Sequence, residues 1–210
     1  VFVHIMALHH VGSNNPDGIE IKKKKDNQGI PLDGIPFWPY SIVKDLFALS
    51  VFLFIFLAIV FFAPEMGGYF IEIPNFEKAN PLKTPEHIAP VWYYTPFYAM
   101  LRAATFPLFG MSAKFWGLVV MVSAIAIPLA LPWLDKSPVK SIRYKGVLSR
   151  WALRLFVVSF FVLGWLGVMP ATKTYTIMAQ FFTLIYFAYF VLMPWYTTVE
   201  ATKPEPERVT

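Results

Sequence analysis

Residues Thr84–Arg102 read TPEHIAPVWYYTPFYAMLR and stand between long apolar runs on either side. The segment carries Trp92, Tyr93, Tyr94 and Tyr98 together with Glu86, His87, Arg102 and three prolines. Pro85, Pro90 and Pro96 each remove a backbone donor and fix φ, so regular helix is expected only from about Phe97. Irregular backbone beside a hydrocarbon layer is tolerated only where protein buries it or where it lines a cavity. Two readings fit these residues. One is a rigid, aromatic-walled plug next to a cavity for a flat apolar ligand. The other is an aromatic belt at a membrane–water interface.

The flanks set the fold class. Leu46–Ala63, LFALSVFLFIFLAIVFFA, is long enough to cross a bilayer and stops at Pro64. Further spans are expected at about 115–133, 151–168 and 177–195, with Phe97–Ala103 as a short helix near the surface. Hydrophobic residues make up 57% of the chain and charged residues only 15%, too little charge to cover a water-soluble surface. Val1–Leu8, VFVHIMAL, is apolar from its first residue and reads as the last turns of another membrane helix, as in a fragment or one part of a split protein. The expected fold is all-α, a polytopic membrane helix bundle of four transmembrane helices plus the end of a preceding one. Its expected divisions are that helix end at 1–11, a polar loop at 12–45 and the bundle at 46–210.

Charge orients the bundle. Alternating the spans puts 12–44, the 135–150 connector and the tail on one side, with Lys22–Lys25, Lys44, five connector cations, Lys203 and Arg208. The other side has Lys78, Lys83, Arg102, Lys114 and Lys173. The excess of Lys and Arg makes the first side cytoplasmic and puts the 64–96 loop on the periplasmic side, as in a bacterial inner membrane. The net charge of +5 is explained this way, without nucleic acid as a partner. With no cysteine, the chain holds neither disulfides nor thiolate-bound iron–sulfur clusters.

Few side chains can carry chemistry. His4 lies about eight residues from Gly12, roughly 12 Å along a helix. An ionisable group at that depth suggests function, as a metal or haem-iron ligand, or else a histidine bonded between helices. His9 is about 140° around the helix from His4, so the two are poorly placed to share one metal. Near His9 in sequence are Ser13 and Asn14, while Lys44 and Asp45 open the next span. His9 and Asp45 could exchange protons with a carbonyl or hydroxyl ligand; alternatively Asp45 only complements a helix N-terminus. His87 has no nucleophile beside it, so a catalytic triad is set aside.

Taken in order, His-x4-His followed by GSNNP, then PFWPYSIVKD, then ANPLKTPEHIAPVWY resemble cytochrome b of the cytochrome bc complexes. The likeness covers the whole chain and corresponds to the C-terminal half, from the end of the fourth helix through the eighth. It implies that His4 is an axial ligand of the high-potential haem b. It also implies that His9, Ser13, Lys44 and Asp45, with Asn14 beside them, surround a quinone-reduction site. Pro90-Val91-Trp92-Tyr93 matches the proline-glutamate-tryptophan-tyrosine motif of the quinol-oxidation site, with Tyr98 at the position of another site tyrosine.

The implied activity is that of a respiratory quinol:cytochrome c oxidoreductase using a ubiquinone-type quinone and coupling electron transfer to proton translocation. The implied partners are the N-terminal half of cytochrome b, the Rieske iron–sulfur protein and a cytochrome c1-type subunit, in a dimeric complex in a lipid membrane. This segment alone is not expected to be active. Two departures stand out. Val91 replaces the proton-accepting glutamate, and Glu86, His87 or Glu72 is expected to take its place. Only one of the family's four haem-ligating histidines is present. The alternatives are a split subunit like subunit IV of the chloroplast complex, which begins after the haem-ligating helix, and a non-catalytic transporter or anchor subunit.

Overall fold

A computed structural model describes residues 1–68, 70–71, 76–83 and 89–209. Its helices are α1 (Phe2–Val11), α2 (Ile42–Phe62), α3 (Thr95–Ala103), α4 (Ala113–Ala126), α5 (Leu131–Leu134), α6 (Val147–Val168), α7 (Lys173–Val191) and α8 (Met193–Val199). Among the described residues there is no strand, only the isolated bridges Lys25–Pro31 and Leu108–Met111. Among the described residues four stretches are long and apolar enough to cross a membrane: Phe37–Phe62, Ala113–Leu134, Val147–Val168 and Lys173–Val191. The all-α membrane bundle expected from sequence is therefore observed. The chain divides into two compact units, Val1–Glu20 with Ala89–Thr210, and Ile21–Ile88.

The first unit is built around a short helix. Ala99 and Met100 of α3 are fully buried, and α3 packs against α6, α4 and α7. The expected short helix is thus also the hub between the spans. It also starts two residues early, at Thr95. Pro96 falls in the first turn, where a helix has no use for the missing N–H. Small residues permit the close approach. A Cβ on Gly167 of α6 would stand 2.1 Å from the Thr95 carbonyl oxygen, and one on Gly117 of α4 would stand 2.3 Å from that of Leu101. This is the small-residue contact by which membrane helices bring their backbones together.

Two prolines shape the α4 span. It runs as α helix to Ala126, as 3-10 turns over Ile127–Ala130, then as α5. Pro128 cannot donate to the carbonyl of Ala124 four residues back. The hydroxyl of Tyr186 on α7 donates to that oxygen instead, at 2.9 Å, and Tyr186 is buried. Beyond α7, a break at Leu192 and Pro194 in the first turn of α8 divide what the sequence suggested was one span to 195. The α6 span starts four residues earlier than expected, at Val147. There Arg150 bonds the Gly146 carbonyl and Arg154 lies over the Trp151 ring.

The second unit contains α2, which buries none of its residues within the chain. Ahead of it the lysine run enters a tight turn, in which the Asp26 carboxylate accepts from the backbone N–H of Gln28 and Ile30. That segment is ordered by its own hydrogen bonds.

Candidate functional site

Val91–Tyr94 forms a 3-10 turn that feeds directly into α3. The N–H of Tyr94 donates to the Val91 carbonyl at 2.8 Å, and the Thr95 hydroxyl to the Trp92 carbonyl at 2.7 Å. Thr95 and Pro96 are buried against the C-terminal end of α6, around Gly164 and Gly167. The turn is fixed from behind, and its rings face outward: Trp92 is 77% exposed and Tyr93 52%. Their rings meet edge to face at 5.5 Å, and Tyr94 follows Tyr93 at 5.0 Å. Tyr98 lies half-buried one turn into α3 with the Arg102 guanidinium 4.8 Å from its ring centroid. Arg102 in turn donates to the carbonyls of Leu166 and Met169, closing the C-terminus of α6.

The structure thus groups Trp92, Tyr93 and Tyr94 as an aromatic wall beside Val91, with Tyr98 one turn into α3. A preorganised wall of this kind can stack a planar ring while a phenol and an indole N–H supply hydrogen bonds. Glu86, His87 and Glu72 lie outside the described residues.

At the other end of α6 a polar layer forms. The carboxylate of Asp17, fully buried, accepts from Arg143 at 3.0 Å and from the Tyr144 hydroxyl at 2.8 Å. Ser141 donates to the carbonyl of Pro16, and the backbone N–H of Lys203 to that of Tyr144. Lys145 pairs with Asp135, and Ser149 with Glu200. The loop after α1, the 135–150 connector and the tail, grouped on one side by their charges, are joined here by hydrogen bonds. Reading from the sequence missed Asp17. Its signal was Asn15-Pro16-Asp17-Gly18, a turn signature, in which the Asn15 side chain accepts from the N–H of Asp17 and Ile19.

The remaining candidates sit on open elements. His9, Ser13 and Asn14 are exposed, and the Asn14 side chain accepts from the N–H of Asn15. Lys44 and Asp45 belong to the second unit, exposed on the first turn of α2. His4 is exposed on α1 between the apolar Val3 and Ile5, with the small Ala7 one turn on. An imidazole on an apolar helix face with a small neighbour has the donor chemistry of a haem-iron ligand. Among the described residues no cluster of three or more His, Asp or Glu could hold a bare metal ion.

The family model described as cytochrome b(C-terminal)/b6/petD matches residues 78–187. The chain belongs to this family. The match begins ahead of the aromatic turn and runs through α3, α4 and α6 into α7. The cytochrome b of Allochromatium vinosum is 61% identical over the whole chain, which covers 51% of that protein. The cytochrome b of Cereibacter sphaeroides is 39% identical, again over the whole chain and 48% of that protein. A solved structure titled hyperthermophilic respiratory Complex III superposes with a TM-score of 0.80 at 35% identity, over 95% of this chain and 47% of that one. The chain spans about half the length of the curated relatives it matches. Membership in the cytochrome b family and four spanning helices make it an integral membrane protein and set aside the transporter reading.

Proposed function

We propose that this chain supplies one wall of each of two quinone sites, at opposite membrane faces, in a respiratory quinol:cytochrome c oxidoreductase. The observation that carries the proposal is a separation. The Val91–Tyr94 turn packs at the C-terminal end of α6, and the loop that follows His9 is bonded to the connector at its N-terminal end. The 22 residues of α6 between them measure roughly 33 Å, about the thickness of a hydrocarbon core.

At the first site, on the periplasmic side, a quinol ring packs on Val91, Trp92 and Tyr93, with Tyr98 behind. Val91 gives the ring an apolar surface but accepts no proton, so Glu86, His87 or Glu72 takes the proton from the quinol hydroxyl. One electron leaves towards a docked Rieske iron–sulfur protein and on to a cytochrome c1-type subunit. At the second site, on the cytoplasmic side of a bacterial inner membrane, His9 and Asp45 deliver protons to a ubiquinone-type carbonyl, while Lys44, Ser13 and Asn14 bind and orient it. His4 would hold a haem b together with ligands from the N-terminal half of cytochrome b, and that haem would supply one-electron transfer between the two sites. Release of protons outside and uptake inside couples the reaction to proton translocation, in a dimeric complex.

The test separates the half-reactions in the full complex. Tyr93→Ala slows quinol-driven haem reduction, read by absorbance with the cytoplasmic-side site inhibited. Asp45→Asn slows haem reoxidation by quinone, by about 10²-fold if its proton transfer is direct. Both variants slowing the same half-reaction would refute two separate sites.

A further inference from the structure

The first unit contains a cavity of about 370 Å³ at the opposite end of α3 from the aromatic turn, between α3, the start of α4 and the middle of α7. Its wall is apolar: Met100, Ala104, Trp116, Val120 and Leu184 line it. The polar donors at its edge are already used. The Trp116 indole donates to the Leu108 carbonyl, the Gln180 amide to the Ala103 carbonyl and the Thr183 hydroxyl to that of Ala179. A space so lined gives water too few partners to settle in it.

Depth and charge identify what fills it. On α4 the lining residues Trp116 and Val120 lie two and six residues beyond Lys114, roughly 3 and 9 Å along the helix. On α7, Gln180 to Leu184 lie seven to eleven residues beyond Lys173, roughly 10 to 17 Å. The cavity therefore begins just inside one membrane surface and runs into the hydrocarbon. Within this unit the charge at that end is of one sign. From Ala89 to Leu134 and from Trp151 to Val199 there is no Asp or Glu, while Arg102, Lys114 and Lys173 stand at the cavity's end of the helices. Lys114 and Lys173 are exposed. The carboxylates of this unit lie in the 15–20 loop, the connector and the tail. An apolar slot below a rim of cations matches an anionic lipid.

We infer that the cavity holds one acyl chain of an anionic phospholipid, with its headgroup phosphate at Lys114 and Lys173. The volume accommodates about a dozen groups of water or methylene size, a large part of one chain. The site is distinct from both proposed quinone sites and does not depend on them.

The probe is phosphatidylglycerol carrying a diazirine on one acyl chain, added as a minor lipid to nanodiscs containing the full complex. After photolysis, labelled peptides are mapped by mass spectrometry. Adducts should concentrate on 104–120 and 180–184, at least threefold above the exposed α6 residues Val158 and Phe161. The phosphatidylcholine analogue, and the Lys114→Gln/Lys173→Gln variant, should each lower that excess by half or more. Ala104→Phe, which fills the slot, should abolish it. If that variant fails to assemble, Leu184→Trp at the exposed rim should do the same. Equal labelling of α6 and the cavity, unchanged labelling in the filled variants, or recovery of a quinone in place of phospholipid from the site would overturn the inference.

Discussion

The Tyr186 hydroxyl occupies the place of an amide that the sequence deletes. Pro128 leaves the Ala124 carbonyl without its helical donor, and both Ala124 and Tyr186 are buried, so water cannot substitute. Tyr186→Phe removes one oxygen, keeps the ring contacts with Phe156 and Phe190, and leaves that carbonyl bare. Leaving a buried group unsatisfied costs about 1–3 kcal/mol in soluble proteins, whereas hydrogen bonds between membrane helices average about 0.6 and reach about 1.7. A loss of about 1–1.5 kcal/mol is expected here, in the upper part of the membrane range because both residues are buried. The decisive control is Pro128→Ala, which restores an N–H at the position four residues on. In that background Tyr186→Phe should cost less than about 0.5 kcal/mol, the remainder being the hydroxyl's own desolvation. Four proteins are compared, the parent, the two single variants and the double, each as the full complex in mild detergent. Unfolding is driven by added dodecyl sulfate and followed by tryptophan fluorescence. An equal cost for Tyr186→Phe in both backgrounds would refute the replacement of one donor by another.

Gly167→Ala should drive a methyl into the Thr95 carbonyl, shifting the aromatic turn; overpacking of this kind costs about 1–3 kcal/mol. Quinol oxidation should fall several-fold in stopped-flow haem reduction, with reoxidation unchanged. Asp17→Ala should free the loop after α1 by removing the acceptor shared by Arg143 and Tyr144, at a cost of about 1–3 kcal/mol. Hydrogen exchange at the Ile19 amide should rise, while exchange in α6 should not. Replacing Glu72, Glu86 and His87 in turn should shift the pH profile of quinol oxidation in one of the three, and no change in any would remove all of them as the proton acceptor.

The four spans were legible because lipid imposes length and apolarity directly on the sequence. Boundaries slipped where local chemistry outweighed hydropathy. Thr172 caps α7 at the N–H of Tyr175, so that helix begins among polar residues that hydropathy had counted as turn. Pro96 was read as a breaker when its position in a first turn made it a starter. The motif around Trp92 and Tyr93 was legible as a mark of the family, but its rigidity was not. That comes from Thr95, Gly164 and Gly167, residues nearly seventy positions apart whose meeting no local pattern announces.

Arg102 illustrates the same limit in reverse. As a sequence feature it is one cation on the sparsely charged side, and its bland reading is topology. In the structure its guanidinium closes the end of α6 and lies over Tyr98, while its Nε is buried without a partner. An unsatisfied buried donor is costly, and here the cost sits between the helix that carries the aromatic turn and the helix that anchors it. The pairing of Arg102 with the Leu166 and Met169 carbonyls therefore fixes the position of α3 against α6. The same guanidinium lies over the Tyr98 ring, so a residue that touches no ligand in the proposed chemistry holds one that does.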